Sequence, residues 1–261
     1  FSSITIDGTL VVPSGMVLRS TGDVTVRGTL SVLPGTQDSG NGEAQPGVSV
    51  ASAGLVHGGI GLSTLQAAQV VRPGIAAGGA GGRVTAGSGG EGGGSVVLVA
   101  KGNLLVSSTG RIEANGRNGS SGANVVGTGG GAGGVIVLVA KGALTVQGTV
   151  SAMGGNGASA TTTGGNGEGG GGGGGGGIIH FLSTSAATLS GTIKVDGGAG
   201  GSNAVGGTYT NAGYGGGACG GNGGNGGGQE AFGAPLTASQ AGSVGHILRT
   251  VAPEPELLLM R

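Results

Sequence analysis

The residues able to do chemistry are few and far apart. The aspartates are Asp7, Asp23, Asp38 and Asp196, no two of them neighbours, and the glutamates are as dispersed. Hydrolysis or elimination on a sugar chain needs paired carboxylates or a metal held by an acidic cluster. Asp7 and Asp23 are spaced to fall on neighbouring coils of a repeat, but they read better as solvated loop-end residues. The histidines His57, His180 and His246 have no metal-ligand spacing to one another, to a cysteine or to an acid. His180 sits inside an apolar run and is expected to pack outward or to bond a backbone carbonyl. No serine, threonine or cysteine is marked as a nucleophile. Residues 164–168 read GGNGE, the nearest approach to a calcium-binding nonapeptide, with the acid one position early and no second copy. Gly-x-Gly strings recur throughout without a helix to follow them, so they carry no phosphate-loop signal. These observations predict a chain that is not an enzyme, with no catalytic, metal or cofactor residues.

A few smaller signals remain. Cys219 is the single cysteine, which excludes a disulfide framework. It reads as a small residue among glycines, with a free thiol or an intermolecular bridge as the alternative. Asn118-Gly119-Ser120 is an N-glycosylation sequon, and Thr161-Thr162-Thr163 is a candidate for O-glycans. Tyr209 and Tyr214 with Asn211 make a small cluster suited to an adhesive tip, or to packing against glycine strands. Thr208-x-Thr210 is too isolated to be a rank of an ice-binding face.

Whatever elements hold these residues are built largely from glycine. The 261 residues include 72 glycines, where ordinary usage of about 7% would give roughly 18. Disorder would go with low hydrophobicity and high charge. Here 36% of residues are hydrophobic and 8% charged, in apolar blocks that alternate with glycine runs. Tryptophan is absent, with two tyrosines and three phenylalanines, so the core must be thin and aliphatic. Eleven basic residues balance eleven acidic ones. That offers nothing to nucleic acid or an anionic membrane surface, and zero net charge favours association. No run approaches the ~18 apolar residues of a membrane span. The chain starts at Phe1 and not at Met, which is the expectation for a processed, exported chain.

Repeats decide the architecture. A short unit starts at Gly8 (GTLVV), Gly28 (GTLSV), Gly110 (GRIEA), Gly148 (GTVSA) and Gly191 (GTIKV), with Gly82 (GRVTA) as a further member. A longer unit contains three of these: residues 95–102 read SVVLVAKG, residues 135–142 read VIVLVAKG, and residues 178–185 read IIHFLSTS. Each is followed by a second short strand, then the Gly-Thr-Ile type unit, then a glycine excursion beginning near Asn115, Gly154 or Gly197. The strands are short, rich in Val, Ile, Leu and Thr, and bounded by glycine. The unbroken apolar run 96–100 predicts a strand covered on both faces, by the core and by a glycine-rich layer. No helix is expected; residues 62–71 could form a turn or two at most.

The glycine runs have a period of their own. Residues 220–228 read GGNGGNGGG, with Asn222 and Asn225 three apart. Three is the period of the extended left-handed helix, whose backbone groups point outward on all sides. Residues 169–177 are nine glycines in a row. They read as such a helix packed among neighbours, with a flexible linker as the alternative.

The alternation of glycine runs with VIVLVAKG-type strands over residues 91–250 resembles the glycine-rich β-solenoids of bacterial surfaces, among them adhesins and autotransporter-like passengers. It also resembles phage tail-tip adhesins that stack polyglycine helices. The tail, residues 252–261 (APEPELLLMR), is similar to the start of a PEP-type C-terminal sorting signal, although its apolar stretch stops early. The resulting expectation is an all-β, parallel β-solenoid (parallel β-helix) with its glycine loops packed as polyglycine or polyproline-II-like helices. Its parts would be N-terminal strands 1–34, an irregular insertion 35–90, repeats 91–250 and a tail 251–261. The resemblance implies a secreted, extracellular or cell-surface protein. Because no capping unit precedes the strand at residues 3–7, the expected partner is copies of itself in a filament or surface layer. The alternative is an adhesin that binds a glycan or a host surface through its loops.

Overall fold

The computed structural model describes residues 1–35, 56–73, 77–83, 88–121, 125–161, 167–204, 206, 210–229 and 235–260. In chain order the strands are β1 (Ile4–Ile6), β2 (Thr9–Val12), β3 (Met16–Ser20), β4 (Val24–Val26), β5 (Thr29–Val32), β6 (Ser95–Ala100), β7 (Leu104–Val106), β8 (Arg111–Glu113) and β9 (Val135–Ala140). They continue as β10 (Leu144–Val146), β11 (Thr149–Ser151), β12 (Gly167–Glu168), β13 (Ile178–Ser183), β14 (Thr188–Leu189), β15 (Thr192–Lys194), β16 (Thr210–Asn211) and β17 (His246–Val251).

The protein is nearly all β, and its named strands pair in parallel. A first sheet runs β1-β4-β7-β10-β14, a second β2-β5-β8-β11-β15 and a third β3-β6-β9-β13-β17; β12 and β16 form a small separate pair. The chain visits the first, second and third sheets in that order and repeats the circuit five times. The step from the first to the second sheet is a short corner. Glycine stands there because successive corners lie backbone on backbone: a Cβ on Gly28 would strike the Asp7 and Gly8 backbone, and one on Gly148 the Ser107 and Gly110 carbonyls. The first step from the second to the third sheet is also short, turning through Gly15 at φ 86°, a conformation that side chains disfavour. On every later circuit this step carries the long glycine-rich excursion.

The five copies of the short repeat are the five strands of the second sheet. Thr9, Thr29, Arg111, Thr149 and Thr192 align across it, as do Leu10, Leu30, Ile112, Val150 and Ile193. In the third sheet, the copies 40 residues apart pair residue for residue, Val96 with Ile136 and Leu98 with Leu138.

Alternation along each strand separates two cores. Val24, Leu30, Leu98, Ile112, Leu138, Val150 and Phe181 point into one cluster shared by the three sheets. The opposite face of the third sheet presents Val97, Val99, Val137, Val139 and Leu182 to a second cluster. Burial on both faces accounts for the unbroken apolar strands, at about 1.5–3 kcal/mol per large side chain.

The cover of that second face corrects the sequence expectation in part. Ala132 and Cys219 come from glycine-rich segments, but Ala67, Val70 and Leu259 come from helical turns. Residues 64–69, where a turn or two was the most expected, form α1 (Thr64–Gln69). Its start is a capping box: the Ser63 hydroxyl accepts from the Gln66 N–H, and the Gln66 side chain accepts from the Ser63 N–H. The tail closes the same face as a 3-10 helix, Pro255–Met260. Among the described residues no helix is long and apolar enough to cross a membrane.

Candidate functional site: the glycine bundle and the free sheet edges

Residues 169–177 carry no side chains, yet every one of their backbone groups is paired. The N–H groups of Gly171, Gly174 and Gly177 donate to the carbonyls of Ala158, Gly155 and Ala152; those of Gly169, Gly172 and Gly175 to Asn211, Tyr214 and Gly217; those of Gly173 and Gly176 to Gln240 and Ser243. Gly170 donates to Asn203 Oδ1. The carbonyls follow the same rule. Gly169, Gly172 and Gly175 accept from Gly127, Gly130 and Gly133; Gly170, Gly173 and Gly176 from Gly227, Gly224 and Gly221; Gly171 and Gly174 from Gly201 and Gly198. Every third residue therefore addresses the same neighbour, and six segments surround this one. A Cβ at any of the nine positions would overlap a neighbouring backbone carbonyl. The nine consecutive glycines follow from this: no direction is left for a side chain.

Segments farther out have one free direction in three, and asparagine occupies it. Asn222 and Asn225 Oδ1 accept from the N–H groups of Gly61 and Gly58 at 2.7 and 2.9 Å. Asn118 Oδ1 accepts from Asn156 N–H, and Asn156 Oδ1 from Ala199 N–H, linking three successive excursions. The described residues between 56 and 94 join the same network, with Val56, Gly59, Gly79 and Gly82 donating to Gly213, Gly216, Ala218 and Gly215.

The three large sheets end in free edges. Among the described residues, no strand pairs with the outer sides of β1, β2 and β3 or of β14, β15 and β17; beside β3, Phe1 donates to the Arg19 carbonyl and accepts from the Thr21 N–H. The core rows run out open at both ends. Leu10 is 38% exposed, although its row neighbours Leu30, Ile112 and Val150 are fully buried. At the other end Ile247 is 42% exposed, in register with the fully buried Ile179, Ile136 and Val96.

The candidate chemical residues are not brought together. Asp7 pairs with Arg27 at 2.8 Å, while Asp23 accepts from the Asn103 N–H at 2.7 Å, at the opposite end of its rung. Asp196 is exposed and offers its backbone carbonyl to Gly154. His246 Nε2 lies 2.7 Å from the Leu62 carbonyl. His180 does pack on the outer face, but its partner is the Thr250 hydroxyl, at 2.8 Å from Nε2, and not a carbonyl. Burial lowers its pKa to about 4, so the ring is neutral at pH 7. Cys219 is buried, its thiol 3.9 Å from the Gly134 carbonyl. Asn211 bonds the Glu168 carboxylate, and Tyr214 is held by its backbone inside the bundle. Asn118 is exposed. Asp38, residues 84–86, Thr162, Thr163, residues 164–166, Thr208 and Tyr209 lie outside the described residues. Among the described residues, no three His, Cys, Asp or Glu side chains are grouped as a metal site would require.

Sequence reasoning missed β17, whose HILRTV is more polar than its partners, and the acceptor role of the asparagines outside residues 220–228. The recurring Asn-Gly step was the available signal for the second. No family model matches the chain, and no curated protein or solved structure matches it.

Proposed function

We propose that this protein is a structural subunit of a self-assembling extracellular filament or surface layer. The three stacked sheets are read as a parallel β-solenoid, and the excursions as a bundle of polyglycine-type helices that stiffens one side of it. Copies join head to tail, with β14, β15 and β17 of one receiving β1, β2 and β3 of the next. The observation that carries this reading is the pair of open core rows, with Leu10 exposed at one end and Ile247 at the other. An exposed parallel edge is a template for another chain. A heterologous contact of this kind, repeated, produces an open polymer. Zero net charge and sparse surface charge support close association.

Electron microscopy of the purified chain over a range of concentrations tests the proposal, with Leu10→Lys and Ile247→Lys as controls. The expected result is uniform filaments with a regular axial repeat, lost in both variants. Discrete, monodisperse particles at all concentrations would sink the polymer and favour adhesion through loops.

A further inference from the structure

Three of the eleven basic residues gather on the outer face of the third sheet, beside edge strand β3. Val17 and Arg19 both point out from this strand, in register with Val97 and Val99. Over Val17 and Val97 opens a pocket of about 490 Å³, walled by Arg72 and Pro73 from the chain after α1 and by Leu259 from the tail, with Arg19 on its rim. This volume lies inside the range of about 300–1,000 Å³ that holds small molecules. Arg19 also borders an adjoining pocket of about 410 Å³, which contains Lys101 and Leu257. Among the described residues no carboxylate pairs with Arg19 or Arg72; Glu256, which lines the adjoining pocket with Arg19, reaches Lys141 through Oε1 at 3.5 Å, and its Oε2 is buried without a hydrogen-bond partner.

We propose that this pocket binds a single-chain aliphatic carboxylate. Both guanidinium groups are exposed and project from different elements around an apolar floor. Guanidinium groups recognise carboxylates bidentately. The floor is Val17 and Val97, with Pro73 and Leu259 beside it and no aromatic platform, which suits an alkyl chain better than a sugar ring. The pocket is concave and walled on two sides, so it takes one chain and not a bilayer surface. The site includes Val17 and Arg19 of β3, an edge that the proposed polymer joins to another copy, so binding is read on the Leu10→Lys background that stays unassembled, and the two readings fail separately.

Isothermal titration calorimetry on the intact Leu10→Lys chain, at low ionic strength, uses decanoate, octanoate and decanol as probes. Decanoate is expected to bind saturably at one site. Each methylene is worth about fourfold, so octanoate, two methylenes shorter, should bind roughly fifteenfold more weakly. Decanol should bind at least tenfold more weakly than decanoate. The Arg19→Ala/Arg72→Ala double variant should lose at least tenfold for decanoate and nothing for decanol, with its circular dichroism unchanged. Val17→Asp, which places a negative charge in the floor, should abolish decanoate binding by a second route. The proposal is overturned if decanol binds as tightly as decanoate, if decanoate gives no saturable heat, or if the double variant binds it normally. It is also overturned if the chain ignores monomeric decanoate yet sediments with phosphatidylglycerol vesicles through the same arginines.

Discussion

In the third sheet, Leu138 lies in register between Leu98 and Phe181 and has no exposed surface. In the glycine bundle, Gly173 has no side chain, and its N–H and carbonyl reach the segments of Gln240 and Gly224. The sheet couples ordinary ladder bonding to side-chain burial. The bundle removes side chains so that backbones approach closely enough to bond in every direction around the axis. Stability in the sheet scales with apolar volume and tolerates modest change. Stability in the bundle depends on the absence of volume, so its central segment should tolerate no added atom. The cost is the larger backbone entropy of glycine, offset by a full set of paired groups.

Substitutions can break this comparison. The largest effect is expected from Gly173→Val, whose side chain would overlap the Gly198 carbonyl. It should prevent cooperative folding, read as loss of a single thermal transition and an early elution position in gel filtration. Leu138→Ala leaves a cavity in the shared core and should cost about 2–5 kcal/mol by urea unfolding, with the fold retained. If the two exchanged rank, the bundle would not be the stricter region.

His180 sharpens the comparison from the sheet side. Its folded pKa of about 4 lies below the ordinary 6.5 because burial disfavours the charged ring. Above pH 6.5 the ring is neutral in both states and contributes no pH dependence. As pH falls from 6.5 toward 4, the unfolded chain takes up a proton that the folded chain refuses. Stability should then drop by up to about 3 kcal/mol. Urea midpoints between pH 7 and 4 measure this, and His180→Leu should flatten the part of the slope due to this group. The smallest effect is expected from Asn225→Ala at the bundle surface, where one bond to the Gly58 N–H is lost, at about 1 kcal/mol.

Much of the sheet architecture was legible because its rules act on neighbouring residues. The Gly-Thr-Leu type unit is visible in every copy because each copy meets the same corner and the same core row. The near-identity of residues 95–102 and 135–142 reflects adjacent strands with both faces buried. The fifth strand of the third sheet, β17, was hidden because Ile247, Arg249 and Val251 are exposed there, so burial imposes no apolar pattern on them. Helix α1 was legible only as a turn or two within residues 62–71, because six residues give little periodicity, although Ser63 and Gln66 held its capping signature. The bundle was half legible. Nine glycines announce a segment without side chains, but which six segments surround it depends on contacts far apart in the chain. The exposure of Leu10 and Ile247 could not be read from the residues themselves, since both look like their buried counterparts; the sequence pointed to an open edge only through the expected lack of a cap at residues 3–7.

Amide hydrogen exchange at residues 169–177, followed beside β9 in the same sample, tests the central claim that the glycine run is a fully bonded structural centre. The account predicts protection for Gly171 through Gly176 comparable to that of Val137 and Leu138, lost together with them in one cooperative opening. Exchange of those glycine amides at the rate of an unstructured chain, while β9 stays protected, would contradict it and make the run a linker.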